Sequence, residues 1–125
     1  MTTRGEVILM NTTPVVCGSG GGAEVHNFDP AFYGVVNCAL DVHLSLIGKE
    51  TVIAPGTMYS IEAYACFSVL SGVLSAQGTL TQLEASPPQV IMNVVSNKIS
   101  IIVDCGTSGK SLLVTSTLTV RTSEQ

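Results

Sequence analysis

The segment Gly106-Thr107-Ser108-Gly109-Lys110-Ser111 comes nearest to a recognised chemical motif in this chain. A phosphate-cradling loop needs a glycine, four residues, then Gly-Lys-Ser, placed after a strand and opening a helix. Asp104 stands where the first glycine is required, and its carboxylate would repel phosphate. Leu112 to Val120 then alternates as a strand, so no helix N-terminus follows to hold an anion. The segment reads as a hairpin turn.

His26 and His43 offer imidazole nitrogens to a metal, with Asp29, Asp41 or a cysteine as partners. His43 and Asp41 lie at i and i+2 of one strand and share a face, but no third convergent ligand is recognisable. Cys38, His43 and Asp41 contain the groups of a nucleophilic triad. On a regular strand Cys38 points away from the other two, which breaks the contact a nucleophile needs with its base. No Gly-x-Ser-x-Gly elbow occurs. Glu6, Glu24, Glu50, Glu62, Glu84 and Glu124 are spread singly, mostly near expected turns, and read as solubilising surface charge. The expectation is no catalytic residue, no metal, no cofactor and no enzyme activity.

Cys17, Cys38, Cys66 and Cys105 lack any Cys-x-x-Cys pair, so they do not suggest a zinc site. Reduced structural thiols are expected, Cys38 filling the core in phase with Leu40 and Val42. The chain has no tryptophan, and Tyr33, Tyr59 and Tyr64 are its only tyrosines. Tyr59 falls on an apolar face. Tyr64 projects from a polar one and is the better candidate for stacking a sugar.

The elements that carry these residues are strands. Cys38, Leu40, Val42, Leu44 and Leu46 occupy alternate positions with Asn37, Asp41, His43 and Ser45 between them. Alternation of this kind buries one face of an extended segment and wets the other. Strands are expected over 35–47, 58–70, 73–83, 90–95, 98–105 and 112–121, joined by turns at Ser71-Gly72, Ser96-Asn97 and Gly106–Gly109. Pro55-Gly56 and Ser86-Pro87-Pro88 break the pattern.

Before residue 35 the reading is looser. Glu6 to Met10 forms a short strand and Asn11-Thr12-Thr13-Pro14 interrupts it. Gly18 to Gly22 makes a flexible loop. Ala23 to Gly34 is an irregular connection with Phe28, Phe32 and Tyr33 turned inward. The domain organisation expected is a single domain: a loosely specified arm and Gly-rich loop over 1–34, then an antiparallel β-domain over 35–125. The fold class expected is all-β, an antiparallel β-sandwich or barrel, jelly-roll-like, with no substantial helix.

The 125 residues suffice for one core. Only 11% are charged, below the roughly 25% typical of soluble domains. A poorly charged, apolar β-protein has sheet edges and faces to hide, and assembly with copies of itself or with a larger particle hides them. The net charge of −4 and the scatter of Arg4, Lys49, Lys98, Lys110 and Arg121 argue against a nucleic-acid partner. No run approaches the length of a membrane helix, and the first residues lack the pattern of a signal peptide.

Three segments resemble a β-module common in virion proteins of tailed bacteriophages. They are Ala39 to Gly48, Tyr59 to Phe67 and, most closely, Leu112 to Glu124, with Asn11 to Pro14 similar to the module's opening Thr/Pro segment. The tryptophans common in the module are replaced here, with Met92 and Leu113 near their places. The resemblance implies a structural, non-enzymatic virion protein, assembled in the host cytoplasm. For a small single domain, the leading expectation is a capsid decoration (cement) protein acting as a homo-oligomer, preferably a trimer. Its partners would be itself and the major capsid protein or other virion proteins, with no nucleic acid and no membrane. Val7, Ile8, Leu9 and Met10 of the arm are the expected contact residues. The alternative is a tail-fibre or receptor-binding module recognising a host surface glycan, with Tyr33 and the Gly18–Gly22 loop as places to look. A barrel enclosing a small molecule is a third reading.

Overall fold

In the computed structural model of the chain, residues 4–16, 22–50, 58–83, 89–104 and 111–124 are described. They form eight strands: β1 (Arg4–Val16), β2 (Ala23–Phe28), β3 (Cys38–Glu50), β4 (Met58–Leu70), β5 (Val73–Leu83), β6 (Gln89–Val95), β7 (Lys98–Asp104) and β8 (Ser111–Glu124). The one helical element is a single 3-10 turn at Pro30–Tyr33, capped by the Asp29 carboxylate on the Ala31 N–H. The all-β expectation is met.

The strands divide into a five-stranded sheet ordered β1-β8-β3-β4-β5 and a three-stranded sheet ordered β2-β7-β6. Every pairing is antiparallel. The inner faces pack on each other as a sandwich. Leu40, Val42, Leu44 and Leu46 of β3 join Ile61, Phe67 and Val69 of β4 and Leu112, Leu118 and Val120 of β8. Val25, Phe28, Val90, Ile99, Ile101 and Val103 close the core from the smaller sheet. Burial of such side chains, roughly 1.5–3 kcal/mol each, is the dominant favourable term holding the two sheets together.

Where the sheets' edges approach, side-chain amides replace backbone pairing. Asn11 of β1 donates from Nδ2 to the Val25 carbonyl of β2 at 2.7 Å. Gln82 of β5 accepts through Oε1 from the Val90 N–H of β6 at 2.8 Å. Asn97 accepts from the Leu74 N–H at 2.8 Å and donates to the Gly72 carbonyl at 2.8 Å. Edge groups that would template another chain are partly occupied in this way.

The first third differs most from expectation. β1 is a single strand of 13 residues, paired with β8 from Arg4 to Val16 without interruption. Pro14 does not break it because β1 is an edge strand, where a missing N–H on the open side costs no ladder bond. β2 belongs to the smaller sheet. Residues 4–16 and 23–28 are therefore sheet members rather than an arm, and the greater part of the Gly18–Gly22 loop lies outside the described residues. Gly22 itself is described. An added Cβ there would stand 1.9 Å from the Val103 carbonyl oxygen, so only glycine permits this approach to β7.

Smaller differences follow from tertiary contacts. The third strand starts at Cys38 instead of Val35, because the Val35 N–H bonds to Pro30 and the Val36 carbonyl accepts from Gly72. It continues through Gly48 and Lys49 to Glu50, paired with both β4 and β8. Phe28 is buried, whereas Phe32 is 79% exposed and Tyr33 half-exposed, stacked flat on Phe28 with centroids 5.0 Å apart. Ser71-Gly72 and Ser96-Asn97 turn with positive φ at both residues, the geometry of a two-residue hairpin. The Pro55-Gly56, Ser86–Pro88 and Gly106–Gly109 segments lie outside the described residues.

Candidate functional site

The outer face of the five-stranded sheet collects most of the polar side chains singled out in the sequence. Pairing register lays them out in rows. Glu6, Arg121, Asp41, Cys66 and Gln77 occupy one row across β1, β8, β3, β4 and β5. The next row contains Ile8, Thr119, His43, Tyr64 and Thr81, and the following one Met10, Thr117, Ser45 and Glu62.

Within this grid, Glu62 binds two neighbours. Its Oε2 accepts from His43 Nε2 at 2.6 Å and its Oε1 accepts from Ser45 Oγ at 3.0 Å. The His43 ring lies flat on Tyr64, with centroids 4.5 Å apart and planes 8° from parallel. Ser, His and Glu thus meet, but in the wrong order for nucleophilic catalysis. The serine proton goes to the carboxylate and not to the imidazole, so the imidazole cannot act as base toward that hydroxyl. What the cluster does supply is a rigid, half-exposed aromatic surface. Glu62 sits in the middle of β4, not near a turn, and is a structural member of this cluster rather than a free surface charge.

Arg121 donates from Nε to Glu6 Oε2 at 3.1 Å, in an exposed pair. Beside it a concavity of about 630 Å³ opens on the outer face, lined by Asp41, Cys66, Ser68, Leu70, Gln77 and Arg121 among others. Ser68 accepts from Gln77 Nε2 at 2.9 Å.

His26 lies elsewhere. A bulge between Glu24 and His26 brings His26 into phase with Phe28, so that its ring enters the space between the sheets. There Nε2 meets Ser116 Oγ of β8 at 2.8 Å, both residues being buried. Burial pushes the imidazole below its ordinary pKa, and the Ser116 backbone opposes part of that shift. His26 and His43 consequently lie on opposite faces of the larger sheet. Asp29 is committed to capping the 3-10 turn. Among the described residues no group of three His, Cys, Asp or Glu side chains is placed to hold a metal.

Cys38 packs half-buried against the core, and Asp41 and His43 face outward, so the three groups of the supposed triad stay apart. Cys38 and Cys66 are free thiols; Cys17 and Cys105 lie outside the described residues. Tyr59 is half-buried against the core and Tyr64 faces outward. The residues after the Gly106–Lys110 segment form strand β8, so the helix of a phosphate loop has no place. Glu24, the remaining described carboxylate of β2, accepts from Ser100 Oγ and from Asn27 Nδ2.

The four expected contact residues separate. Val7 and Leu9 turn inward and pack on the core, whereas Ile8 and Met10 stand 56% and 78% exposed on the outer face. Strand alternation forces the split, which an unpaired arm would not have. Ile47, Met58 and Leu113 share that outer face and are also exposed. Periodicity alone could have separated Val7 and Leu9 from Ile8 and Met10, but only register brings Glu62 to His43 or Arg121 to Glu6.

No protein-family model matches the chain, and no curated protein matches it. Among solved structures it is similar to the tailspike protein of Acinetobacter baumannii phage AM24, with 12% identity and a TM-score of 0.46. The match covers 95% of this chain and 26% of the tailspike. A likeness of that extent is too slight to carry a role.

Proposed function

We propose that this chain is a non-enzymatic structural protein of a tailed-bacteriophage virion, acting as a capsid decoration protein that assembles with its own copies. The observation behind the reading is the placement of the three segments that resemble the phage module. They fall on β3, β4 and β8, which are neighbours in the order β8-β3-β4. A chance resemblance of alternating segments has no reason to pick out one contiguous slab of sheet. Exposed Ile8, Met10, Ile47, Met58 and Leu113 on that sheet's outer face supply apolar contact area for the particle. Ile8 and Met10 replace the four-residue contact set. The non-enzymatic part is supported by how both histidines and two of the charged groups are used: His43 by Glu62, Arg121 by Glu6, Glu24 by Ser100, and His26 inside the core.

A second reading, a tail-fibre or receptor-binding module for a host glycan, is favoured by the Tyr64–His43 pair. Parallel rings on a solvent-facing strand resemble a stacking platform for a sugar. Copy number in purified particles separates the two readings. Hundreds of copies spread over the head support decoration, a few at the tail support the receptor module, and absence from particles overturns both.

A further inference from the structure

We propose that copies of this chain associate head to tail, the apolar end of one copy seated in the outer-face groove of the next, with Lys98 of the first meeting Asp41 of the second. The apolar end is the pole where the turns Ser71-Gly72 and Ser96-Asn97 meet the loop 30–37. Asn97 ties the two turns together, and Asn37 Oδ1 accepts from the Ser71 N–H at 2.8 Å. The Val36 carbonyl accepts from the Gly72 N–H at 3.0 Å. These bonds fix Phe32, Val36, Val73 and Val95 in solvent, each more than half exposed. Apolar side chains held out on rigid turns lose little freedom on docking, and such a cluster marks a contact surface.

The groove opens near the same pole on β8, β3, β4 and β5. Ala39, Ser68 and Ser123 are small and leave it room, Leu70 lines it on the side of the Ser71-Gly72 turn, and Asp41 and Arg121 stand one row further along. Charge chooses the occupant. Arg121 is engaged by Glu6, while the side chains of Asp41 and Lys98 make no hydrogen bond or ion pair among the described residues. Lys98 is exposed directly after the Ser96-Asn97 turn, paired across the hairpin with Val95. Copies with a net charge of −4 repel unless opposite charges face each other, and the pole offers a cation where the groove offers a carboxylate. Pole and groove are different surfaces, so the contact is heterologous, and its repetition closes a ring or extends a chain. A trimer is the oligomer preferred from the sequence, and a closed ring of three copies would be one.

The inference rests on self-assembly as read above, but its test is separate. Sedimentation velocity would compare the wild type with Asp41→Lys, Lys98→Asp and the double reversal. An oligomeric wild type is expected, with association weakened roughly tenfold or more by each single reversal and restored by the pair. Val73→Ser, in an exposed turn, is expected to weaken it too, with an unchanged melting temperature. A wild type that stays monomeric, an oligomer indifferent to the reversals, or a monomer whose pole inserts into neutral phosphatidylcholine vesicles would overturn the proposal. A chain present in virions yet monomeric would sink this inference and the self-assembly it rests on but leave the virion reading standing, whereas an oligomer missing from virions would sink only the virion reading.

Discussion

Two residues decide more than their abundance suggests. His26 is a polar bridge through an apolar core, reaching from the smaller sheet to Ser116 of the larger. Its folded pKa lies below the ordinary value, so the unfolded chain binds the proton first as pH falls. The stability that follows is complete above the unfolded pKa of about 6.5 and is lost as pH falls toward and through the lowered folded value. Urea midpoints are expected to drop between pH 7.5 and 5.5, and His26→Gln should flatten that dependence. A slope unchanged in the variant would assign it to other groups. Gly48 illustrates the opposite case. It is buried in β3, yet an added Cβ would meet Leu112, Val114 and Tyr59 only at 3.7–3.9 Å, ordinary contact distances. Gly48→Ala is therefore expected to be stabilising by about 0.4–1 kcal/mol, chiefly by restricting the unfolded chain. A loss of stability in denaturant titration would show that the strand is tighter there than the distances imply.

Strands explain the division of labour between the faces. β3 and β8 lie within the larger sheet, each flanked on both sides, and their inward residues Leu40 to Leu46 and Leu112 to Val120 are buried while the outward ones hold the polar rows. Leu44→Ala is expected to cost about 2–5 kcal/mol by leaving a cavity between the sheets. Thermal unfolding would check this, with a cost below 1 kcal/mol pointing to a core that collapses around the gap. The turns behave differently, because their polar side chains substitute for missing ladder bonds. Asn97→Ala removes two hydrogen bonds that join the β6–β7 turn to the β4–β5 hairpin. A cost of roughly 1–3 kcal/mol is expected, since the Leu74 N–H loses its partner in a half-buried setting. Faster amide exchange at Leu74 should accompany it, and unaltered exchange would mean that water replaces the bond.

Taken together, the sandwich combines an interior crossed by one imidazole with an exterior carrying few charges. Apolar residues are exposed in two regions, the outer face around Ile8 and Met10 and the pole around Phe32 and Val73. The proposed function assigns the first to the particle, and the proposed self-association assigns the second to a neighbouring copy. The two roles make a direct contrast on β1. Ile8→Glu or Met10→Glu should abolish particle binding while leaving the melting temperature within a few degrees. Leu9→Glu should unfold the domain, because a carboxylate placed against the core is left unpaired. Co-sedimentation with capsids, alongside thermal melts, reads both effects. Retained binding in the Ile8 and Met10 variants would remove the outer face from the contact.

Alternation along Cys38–Leu46, Met58–Leu70 and Leu112–Val120 was enough to establish strands and their inward faces, and the turn residues Ser71-Gly72 and Ser96-Asn97 marked two hairpins; β7 and β8, expected to form a third, belong to different sheets. Period-two burial is a local property, legible wherever one face meets a core. The same rule covered β1, but Asn11 to Pro14 masked it, since only membership of an edge strand makes that Pro harmless. Register was not legible. Which residue stands opposite which depends on pairings between positions as far apart as Glu6 and Arg121. The tertiary structure therefore decided that Glu62 serves His43, that His26 crosses to Ser116, and that Asp41 lines a groove. Local sequence sets which way a side chain points along its own strand; its neighbours are set by strands that arrive from elsewhere in the chain.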